Sequence, residues 1–289
     1  MSIVVTWNDF QQQNLDKVEV WRADSKVGVF AKVGETTTES TYTDDTVERN
    51  RVYWYRLRAV KGADASDSIV FPLGYFPTTG PGPSDLKRGT WEFGYFGEVL
   101  PADVATFADL TAASGASAAT GALTMYHKWV VNGRIVFFPN VPYHNNITIP
   151  NCKTLIPAVN VTLDNMLQIS NGDNTFAVRT PTISNNVFNT VATTTATGDA
   201  TLTLSEYAAL SSMIMGVDTL GVVSPRKFGD IPTLGYTSSN HYIPVMSWTN
   251  TSTPYGVPLW FVSPANAGVS VLTLTATRPV WLVLELILE

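Results

Sequence analysis

Short segments of alternating apolar and polar residues follow one another through the first 75 residues of this 289-residue chain. In VYWYRLRAV, Tyr53 and Tyr55 share one face, whereas Arg56 and Arg58 share the other. Successive side chains of a β-strand point to opposite faces, so one face of this segment goes to a core and the other to water. Turn residues separate the segments at short intervals. The pattern predicts an antiparallel β-sandwich over residues 1–75, and a mainly β protein.

These segments resemble a fibronectin type III domain across nearly all of residues 1–75. Trp7 stands where that family has the core Trp of its second strand, and YTDDTVERNRVYWYRLRAV is similar to the family's corner and following strand. The resemblance implies that Tyr53 is the corner tyrosine, whose hydroxyl bonds back to the backbone and pins the loop.

Two departures from the family pattern bear on the fold. Arg49 and Asn50 replace the usual Pro-Gly of the corner, and Asn tolerates the positive φ that the turn needs. A first strand before Ile3 is hard to find. We therefore expect the sandwich either to lack this strand or to borrow one from a neighbour.

Proline and glycine residues mark a boundary after the sandwich. Residues 76–86 contain the run GPGP and one further proline, Pro77, which predict a short linker stiffened by proline. Residues 87–289 then form a second, larger domain, which we expect to be β-rich with one or two short helices.

The second domain opens with an aromatic segment, RGTWEFGYFGEV at 88–99. Its alternation predicts a half-buried strand that sends three side chains into the core of the second domain: Trp91, Phe93 and Tyr95. Gly94 and Gly97 allow a β-bulge or a close backbone approach near Phe96. We expect Phe96 to be the residue of this strand that makes an outward contact. The segment RPVWLVLEL is considered as its partner strand.

Further along, the Asn132-Gly133 pair between two apolar stretches predicts a β-hairpin. Apolar residues at helical spacing predict one helix after Asp103 and before Gly115, and a second at 204–214 with Ser205 as its cap. The segments SVLTLTA and VWLVLELIL are interpreted as strands. The second is almost continuously apolar, which is typical of a central strand covered on both faces.

The order of these segments resembles a family of tailed-bacteriophage virion structural proteins over most of residues 86–289. The matching pieces are TWEFGYFGEV, a helix, a Gly/Ala-rich stretch, KWVVNGRIVFFPNVPYHNNITIP, TFAVRT, LSEYAAL and the segment RPVWLVLEL that contains Arg278 and Trp281. Tyr207 stands where the family pattern has Trp. The Ser-Glu-aromatic helix and the later Arg-Pro strand also resemble C-type-lectin-like domains, which are α+β folds. The resemblance implies a tail-fibre, collar or head-decoration protein located in the virion after assembly in the host cytoplasm.

Charge is unevenly distributed along the chain. Residues 1–90 carry 11 basic and 12 acidic side chains, which leaves 19 charges for the remaining 199 residues. No run of like charge is long enough for a nucleic-acid or polybasic membrane surface. The charge-poor second part is interpreted either as a surface committed to protein contacts, with virion proteins or other copies as partners, or as a polar, neutral β-rich surface.

The sequence predicts no enzyme, no cofactor and no metal site. His127, His144 and His241 lie far apart, and Cys152 is the single cysteine, so neither a metal motif nor an internal disulfide is indicated. Catalytic motifs for hydrolysis or nucleotide binding are missing. The N-terminal MSIVVTW lacks a signal-peptide pattern and the longest apolar run is too short to span a bilayer, so no membrane insertion is expected.

A segment rich in aromatic residues, HYIPVMSWTNTSTPYGVPLW, suggests a second function class. Its Pro, Gly, Ser and Thr content is typical of a long surface loop, and exposed aromatic rings stack on sugars. The candidate contact residues for a bacterial surface glycan or receptor are Tyr236, Tyr242, Trp248 and Tyr255. The alternative interpretation is a loop anchored by these rings, or a subunit contact.

Overall fold

The computed structural model describes residues 1–8, 14–148, 166–181, 206, 209–210, 213, 241–243, 257–262, 267–272 and 277–288; for 145–148, 241–243, 257–262, 267–272 and 277–278 only the backbone is described. This part of the chain is mainly β and its sheets are antiparallel, as predicted. It divides into two compact units, residues 1–79 with 90–92, and residues 80–89 with 93–289. Within the described ranges, no helix is long and apolar enough to cross a membrane.

The strands of the first unit are β1 (Ile3–Thr6), β2 (Lys17–Ala23), β3 (Ala31–Thr36), β4 (Thr41–Asp44), β5 (Arg51–Lys61), β6 (Asp64–Asp67) and β7 (Phe71–Tyr75). In the described residues, β1 and β4 form one sheet, the narrow sheet. The wide sheet has the order β3-β2-β5, and both β6 and β7 pair with the far edge of β5. Ile3 and Val5 of the narrow sheet pack with Val20, Tyr53 and Tyr55 of the wide sheet in one buried cluster.

The hydrogen bond predicted between the Tyr53 hydroxyl and the backbone at this corner is present. The Tyr53 hydroxyl accepts a bond of 2.9 Å from the backbone N–H of Glu48, and the Tyr53 ring is buried. Asn50 takes the positive φ of 59° that the turn requires. Trp7 packs partly buried against the same core cluster.

Replacing Tyr53 with Phe tests this corner. The phenyl ring of the variant would keep its packing but leave the Glu48 N–H without its acceptor, so we expect the free energy of unfolding to fall by about 1 kcal/mol. Urea unfolding of the variant and the native protein measures the difference. Tyr42→Phe is the matched control, because it removes the 2.6 Å bond to the Val33 carbonyl outside the corner. An unchanged unfolding free energy for Tyr53→Phe would show that the hydroxyl does not pin the loop.

The strands of the second unit are β8 (Arg88–Gly89), β9 (Phe93–Val99), β10 (Tyr126–Val131), β11 (Arg134–Pro139), β12 (His144–Thr148), β13 (Leu167–Asn171), β14 (Asn174–Arg179), β15 (His241–Ile243), β16 (Val257–Val262), β17 (Ala267–Leu272), β18 (Thr277–Val280) and β19 (Val283–Leu286). The large sheet has the order β13-β14-β19-β11-β10-β9-β8. In the described residues, β12 pairs with β18, and β15, β16 and β17 form a third sheet.

The Asn132-Gly133 hairpin is confirmed. Both residues have positive φ, 52° and 75°, and Val131 pairs with Arg134 across the turn that joins β10 to β11. Such a two-residue turn matches the twist of the strands it joins. The strands on both sides are almost fully buried.

The first predicted helix exists but begins later than expected. Helix α1 spans Phe107–Ser114 and is capped by Thr106, whose side chain and backbone exchange hydrogen bonds with Asp109. Asp103 instead ends a 3₁₀ turn at Pro101–Asp103. Gly115 closes α1 with a φ of 65°, as a C-terminal glycine commonly does. In the second predicted helix, the described residues Glu206, Ala209, Leu210 and Met213 are helical and buried, and Ser205 lies outside the described residues.

The aromatic strand differs from its prediction in three respects. Phe93 and Tyr95 are buried in the second unit, but Trp91 groups with the first unit, where it stacks on Phe76 with ring centroids 4.8 Å apart. Phe96 is completely buried, so the expected outward contact is wrong. The partners of β9 are β10 and β8, not the segment RPVWLVLEL.

The bulge predicted near Phe96 is confirmed. Lys128 of β10 lies opposite Gly97, whereas the next residue, Trp129, lies opposite Tyr95, so Phe96 is the extra residue of β9. Gly97 has a φ of 140°, which a side chain would disfavour. Tyr95 packs on Trp129 and Phe96 packs under Lys128, so the two consecutive aromatic residues are both buried because β9 is covered on both faces.

The segment VWLVLELIL is divided between two sheets. β18 ends at Val280 and pairs with β12, whereas β19 begins at Val283 and lies between β11 and β14. Trp281 joins the two strands and is fully buried. The prediction of a central strand covered on both faces holds for β19, where every residue is buried.

Candidate functional site

The most concentrated polar chemistry in the described residues is a buried ion cluster on one face of the large sheet, formed by Arg134, Arg179, Glu206 and Glu285. Strand register explains how three of these residues meet. Glu285 of β19 lies opposite Val136 of β11 on one side and Ala177 of β14 on the other. Arg134 and Arg179 each stand two residues from those partners and therefore point to the same face as Glu285. The helical residue Glu206 completes the cluster.

Arg179 is the centre of the ion cluster and is 0% exposed. Its Nη1 and Nη2 donate to the two carboxylate oxygens of Glu206 at 2.6 and 2.5 Å, and its Nε donates to Glu285 at 2.9 Å. Arg134 adds an ion pair of 3.2 Å to Glu206. Burial alone would lower the pKa of Arg179, but the two carboxylates raise it above its ordinary value. The fork of the guanidinium thus binds both acids in the geometry that Arg alone provides.

A second buried cation, Lys128, holds residues 80–83 in place within the second unit. Its ammonium donates to the carbonyl oxygens of Pro83 at 2.7 Å, Pro81 at 3.0 Å and Gly80 at 3.4 Å. It also lies 5.0 Å from the centre of the Phe96 ring. Burial lowers the pKa of Lys128 to about 8, whereas the carbonyl oxygens favour its protonated form. The proline-rich run predicted as part of a linker is thus fixed to one unit by its backbone.

His127, the neighbour of Lys128 in β10, is also buried. Its Nδ1 lies 3.1 Å from the Tyr95 hydroxyl. Burial lowers the pKa of His127 to about 4 from an ordinary value of 6.5. The side chain is therefore neutral at neutral pH.

The shift of His127 predicts a pH dependence of stability. Between pH 6.5 and 4 the unfolded chain binds a proton at this residue that the folded chain does not bind, so the free energy of unfolding falls as the pH is lowered through this window. A shift of this size corresponds to about 3 kcal/mol at most. Urea unfolding at pH 7, 5.5 and 4 measures it, and His127→Gln is expected to lose less stability over the same range. Equal losses in both proteins would contradict the assignment.

The first unit has a smaller polar centre at Asp44. One carboxylate oxygen of Asp44 accepts hydrogen bonds of 2.8 Å from both Tyr55 and Arg22. The other accepts from the Thr46 hydroxyl at 2.7 Å. Burial alone would raise the pKa of Asp44, but these hydrogen bonds and the charge of Arg22 lower it. These hydrogen bonds link Asp44 at the end of β4 to Arg22 of β2 and Tyr55 of β5 in the wide sheet.

The candidate glycan contacts are not brought together in the described residues. Tyr236, Trp248 and Tyr255 lie outside those residues, and Tyr242 belongs to β15, of which only the backbone is described. Arg278 belongs to β18, again with the backbone alone. The glycan site and its alternatives stay predictions.

For metal binding, the described residues contain no group of three His, Cys, Asp or Glu side chains close enough to hold an ion. His127 faces Tyr95, and His144 is half-buried in β12, where burial lowers its pKa. His241 belongs to β15. Cys152 lies outside the described residues.

Sequence reasoning missed the ion cluster and the Lys128 contact. Arg179 and Glu206 stood in segments that were recognised, yet they are separated by 27 residues, and Glu285 is 106 residues from Arg179. The signal that could have found them is the occurrence of single charged residues inside apolar strands, as in FAVRT and VLEL.

Comparisons with protein-family models, with curated proteins and with solved structures found no match to this chain.

Proposed function

We propose that this chain is a non-enzymatic structural protein of a tailed-phage particle, a tail-fibre, collar or head-decoration component that acts by protein-protein assembly. The observation that carries the proposal is how the described residues use their buried charges. Asp44, Lys128, Arg179, Glu206 and Glu285 all bind opposite charges, hydroxyls or backbone carbonyls of the protein itself. Buried charges that bind partners within the protein hold its strands together, and we therefore expect the function to lie at the surface.

The proposed domain types follow from the same residues. The narrow and wide sheets of the first unit and the bond between Tyr53 and Glu48 support a fibronectin type III-like domain. For the second unit, the mixture of a large antiparallel sheet with α1 is compatible with an α+β attachment fold of C-type-lectin-like type. This second assignment rests on fold analogy and is the weaker support for function.

Co-sedimentation tests the assembly proposal. Purified protein would be mixed with phage particles prepared from a mutant that lacks it, and the particles would be pelleted through a density gradient. We expect the protein to pellet with these particles at a fixed ratio and to stay in the supernatant with particles that already contain it. Protein that stays in the supernatant in both mixtures would contradict the proposal.

The alternative proposal is a receptor-binding protein that contacts a bacterial surface glycan through Tyr236, Tyr242, Trp248 and Tyr255. Changing Trp248 and Tyr255 to Ala separates the two functions. If binding to host cells is lost while co-sedimentation with particles is kept, the attachment role is supported. If cell binding is unchanged and the circular dichroism spectrum is native, the glycan site is ruled out.

A further inference from the structure

The outer edge of β1 in the first unit has the properties of a docking site for a single strand. In the described residues, the narrow sheet contains β1 and β4, whereas the wide sheet continues from β3 through β2 and β5 to β7. β4 contacts β3 and β1 contacts β7. Because two strands lie against four, the narrow sheet ends before the β7 edge of the wide sheet. The space beyond β1 therefore lies over the edge of the wide sheet.

Backbone groups of β1 point toward this space. The Trp7 N–H donates to the Ser40 carbonyl on the β4 side at 3.0 Å. In an antiparallel pair, alternate residues direct their N–H and C=O groups to the same neighbour, so Val5 and Ile3 also face β4. Val4 and Thr6 consequently offer their backbone groups to the outer edge. In the part of the chain that the structure describes, no strand pairs with that edge.

Apolar side chains beneath the same edge are incompletely covered. Phe71 and Leu73 of β7 lie opposite Tyr55 and Tyr53 and face the core with them. The two tyrosines are fully buried, whereas Phe71 and Leu73 are half-buried, as is Tyr75 at the end of β7. An added strand beside β1 would cover these side chains with its own inward residues.

Charge distinguishes this edge from the edges formed by β3 and β6. The edge strand β3 carries Lys32 and Glu35, which form ion pairs, and β6 carries Asp64 and Asp67. Charged residues are the usual protection of an edge strand against pairing. The sequences of β1 and β7, IVVT and FPLGY, contain no charge. An uncharged edge complements an uncharged partner segment.

We propose that the outer edge of β1 accepts an extended, uncharged segment with alternating apolar residues, donated by a different protein of the assembly. The occupant is one strand wide because β7 extends below the edge and leaves no room for a second sandwich. A contact of four residues on β1 is much smaller than the ~20–30 residues a side of a stable interface, so its affinity is low and it acts where other contacts of the assembly already hold the two proteins together. The proposal rests on the proposed assembly function.

Amide exchange and peptide binding test it. The probe is an acetylated peptide of alternating Thr and Val with a terminal fluorescein, and the control probe has its central Val replaced by Pro. We expect saturable binding of the first probe by fluorescence anisotropy and none of the second. By NMR, the amides of Val4 and Thr6 should exchange fast in the free protein and slowly with the peptide, whereas those of Ile3 and Val5 are protected in both states.

Val4→Pro is the informative variant, because the N–H that it removes faces the outer edge and takes no part in the pairing with β4. We expect it to weaken peptide binding about tenfold, the effect of losing roughly one to two hydrogen bonds. Val4→Thr keeps the N–H and is the matched control with native affinity. Binding that is equal in Val4→Pro and Val4→Thr would overturn the proposal, as would failure of the native protein to bind the probe of alternating Thr and Val.

Sedimentation velocity tests whether a second copy of the chain occupies the edge instead. If Val4 and Thr6 are already protected in the free protein and the protein sediments as a dimer, the edge is filled by a second copy and the proposal is wrong. A protein that binds the probe but does not pellet with particles would leave the edge assignment intact and refute the assembly function. The reverse result, pelleting without probe binding, would refute only the edge assignment.

Discussion

Replacement of Arg179 with Met is expected to lower the free energy of unfolding by about 3–5 kcal/mol. The guanidinium of Arg179 is 0% exposed and binds both Glu206 and Glu285, so its loss leaves two carboxylates in the interior without their main counter-charge. Arg134 stays within 3.2 Å of Glu206, but its side chain is partly exposed and cannot reach both acids as closely. Urea unfolding followed by tryptophan fluorescence measures the effect.

Two further variants make this result specific. Arg179→Lys keeps the charge but loses the fork geometry, so we expect its free energy of unfolding to lie between those of the native protein and Arg179→Met. Arg58→Ala removes an arginine whose ion pair with Asp67 is long, at 3.9 Å, and largely exposed, so its effect should stay below ~1 kcal/mol. If Arg179→Met lowers the free energy of unfolding no more than Arg58→Ala does, the ion cluster does not hold the sheet together.

Replacement of Trp129 with Ala is expected to cost a similar amount, about 3–5 kcal/mol, for a different reason. Trp129 is fully buried at the middle of β10, and its ring lies 5.2 Å from the ring centres of both Phe93 and Tyr95. Removing the indole leaves a cavity between two aromatic residues of β9 that strand pairing holds in place. The same urea unfolding measurement applies.

Leu100→Ala is the control for Trp129→Ala, because Leu100 follows β9 directly but is 63% exposed. Its effect should stay within ~0.5 kcal/mol. Trp129→Phe refills part of the cavity and should recover part of the loss, which keeps the test informative if Trp129→Ala does not fold. A small loss for Trp129→Ala would mean that the core closes around the missing ring.

Local features of the fold were predictable because local chemistry determines them. Asn132 and Gly133 both tolerate positive φ, so their hairpin follows from the two residues themselves. Gly97 next to consecutive aromatics likewise indicated the bulge at Phe96. The start of α1 was misplaced because Thr106 and Asp109 form a capping box, which is a stronger start signal than Asp103.

Features that depend on contacts between residues far apart in sequence could not be predicted from local patterns. Phe96 was expected to face outward because its strand was interpreted as half-buried, whereas β9 and β10 are buried on both faces and Phe96 packs under Lys128. Trp91 was assigned by its place after the prolines, but its stacking partner, Phe76, comes before them. The ion cluster depends on β11, β14 and β19 becoming neighbours. Single-sequence patterns carry no information on which strands pair.

The position of β19 has a consequence for the time course of folding. β9, β10 and β11 lie close in sequence and β13 and β14 form another hairpin, so each half of the large sheet can form from local contacts. The two halves are joined by β19, whose Glu285 lies 106 residues after Arg179. Closing so long a loop is slow. We expect a chain in which β19 has not yet paired to leave the edges of β11 and β14 exposed, and therefore to aggregate more readily during refolding than the folded protein does.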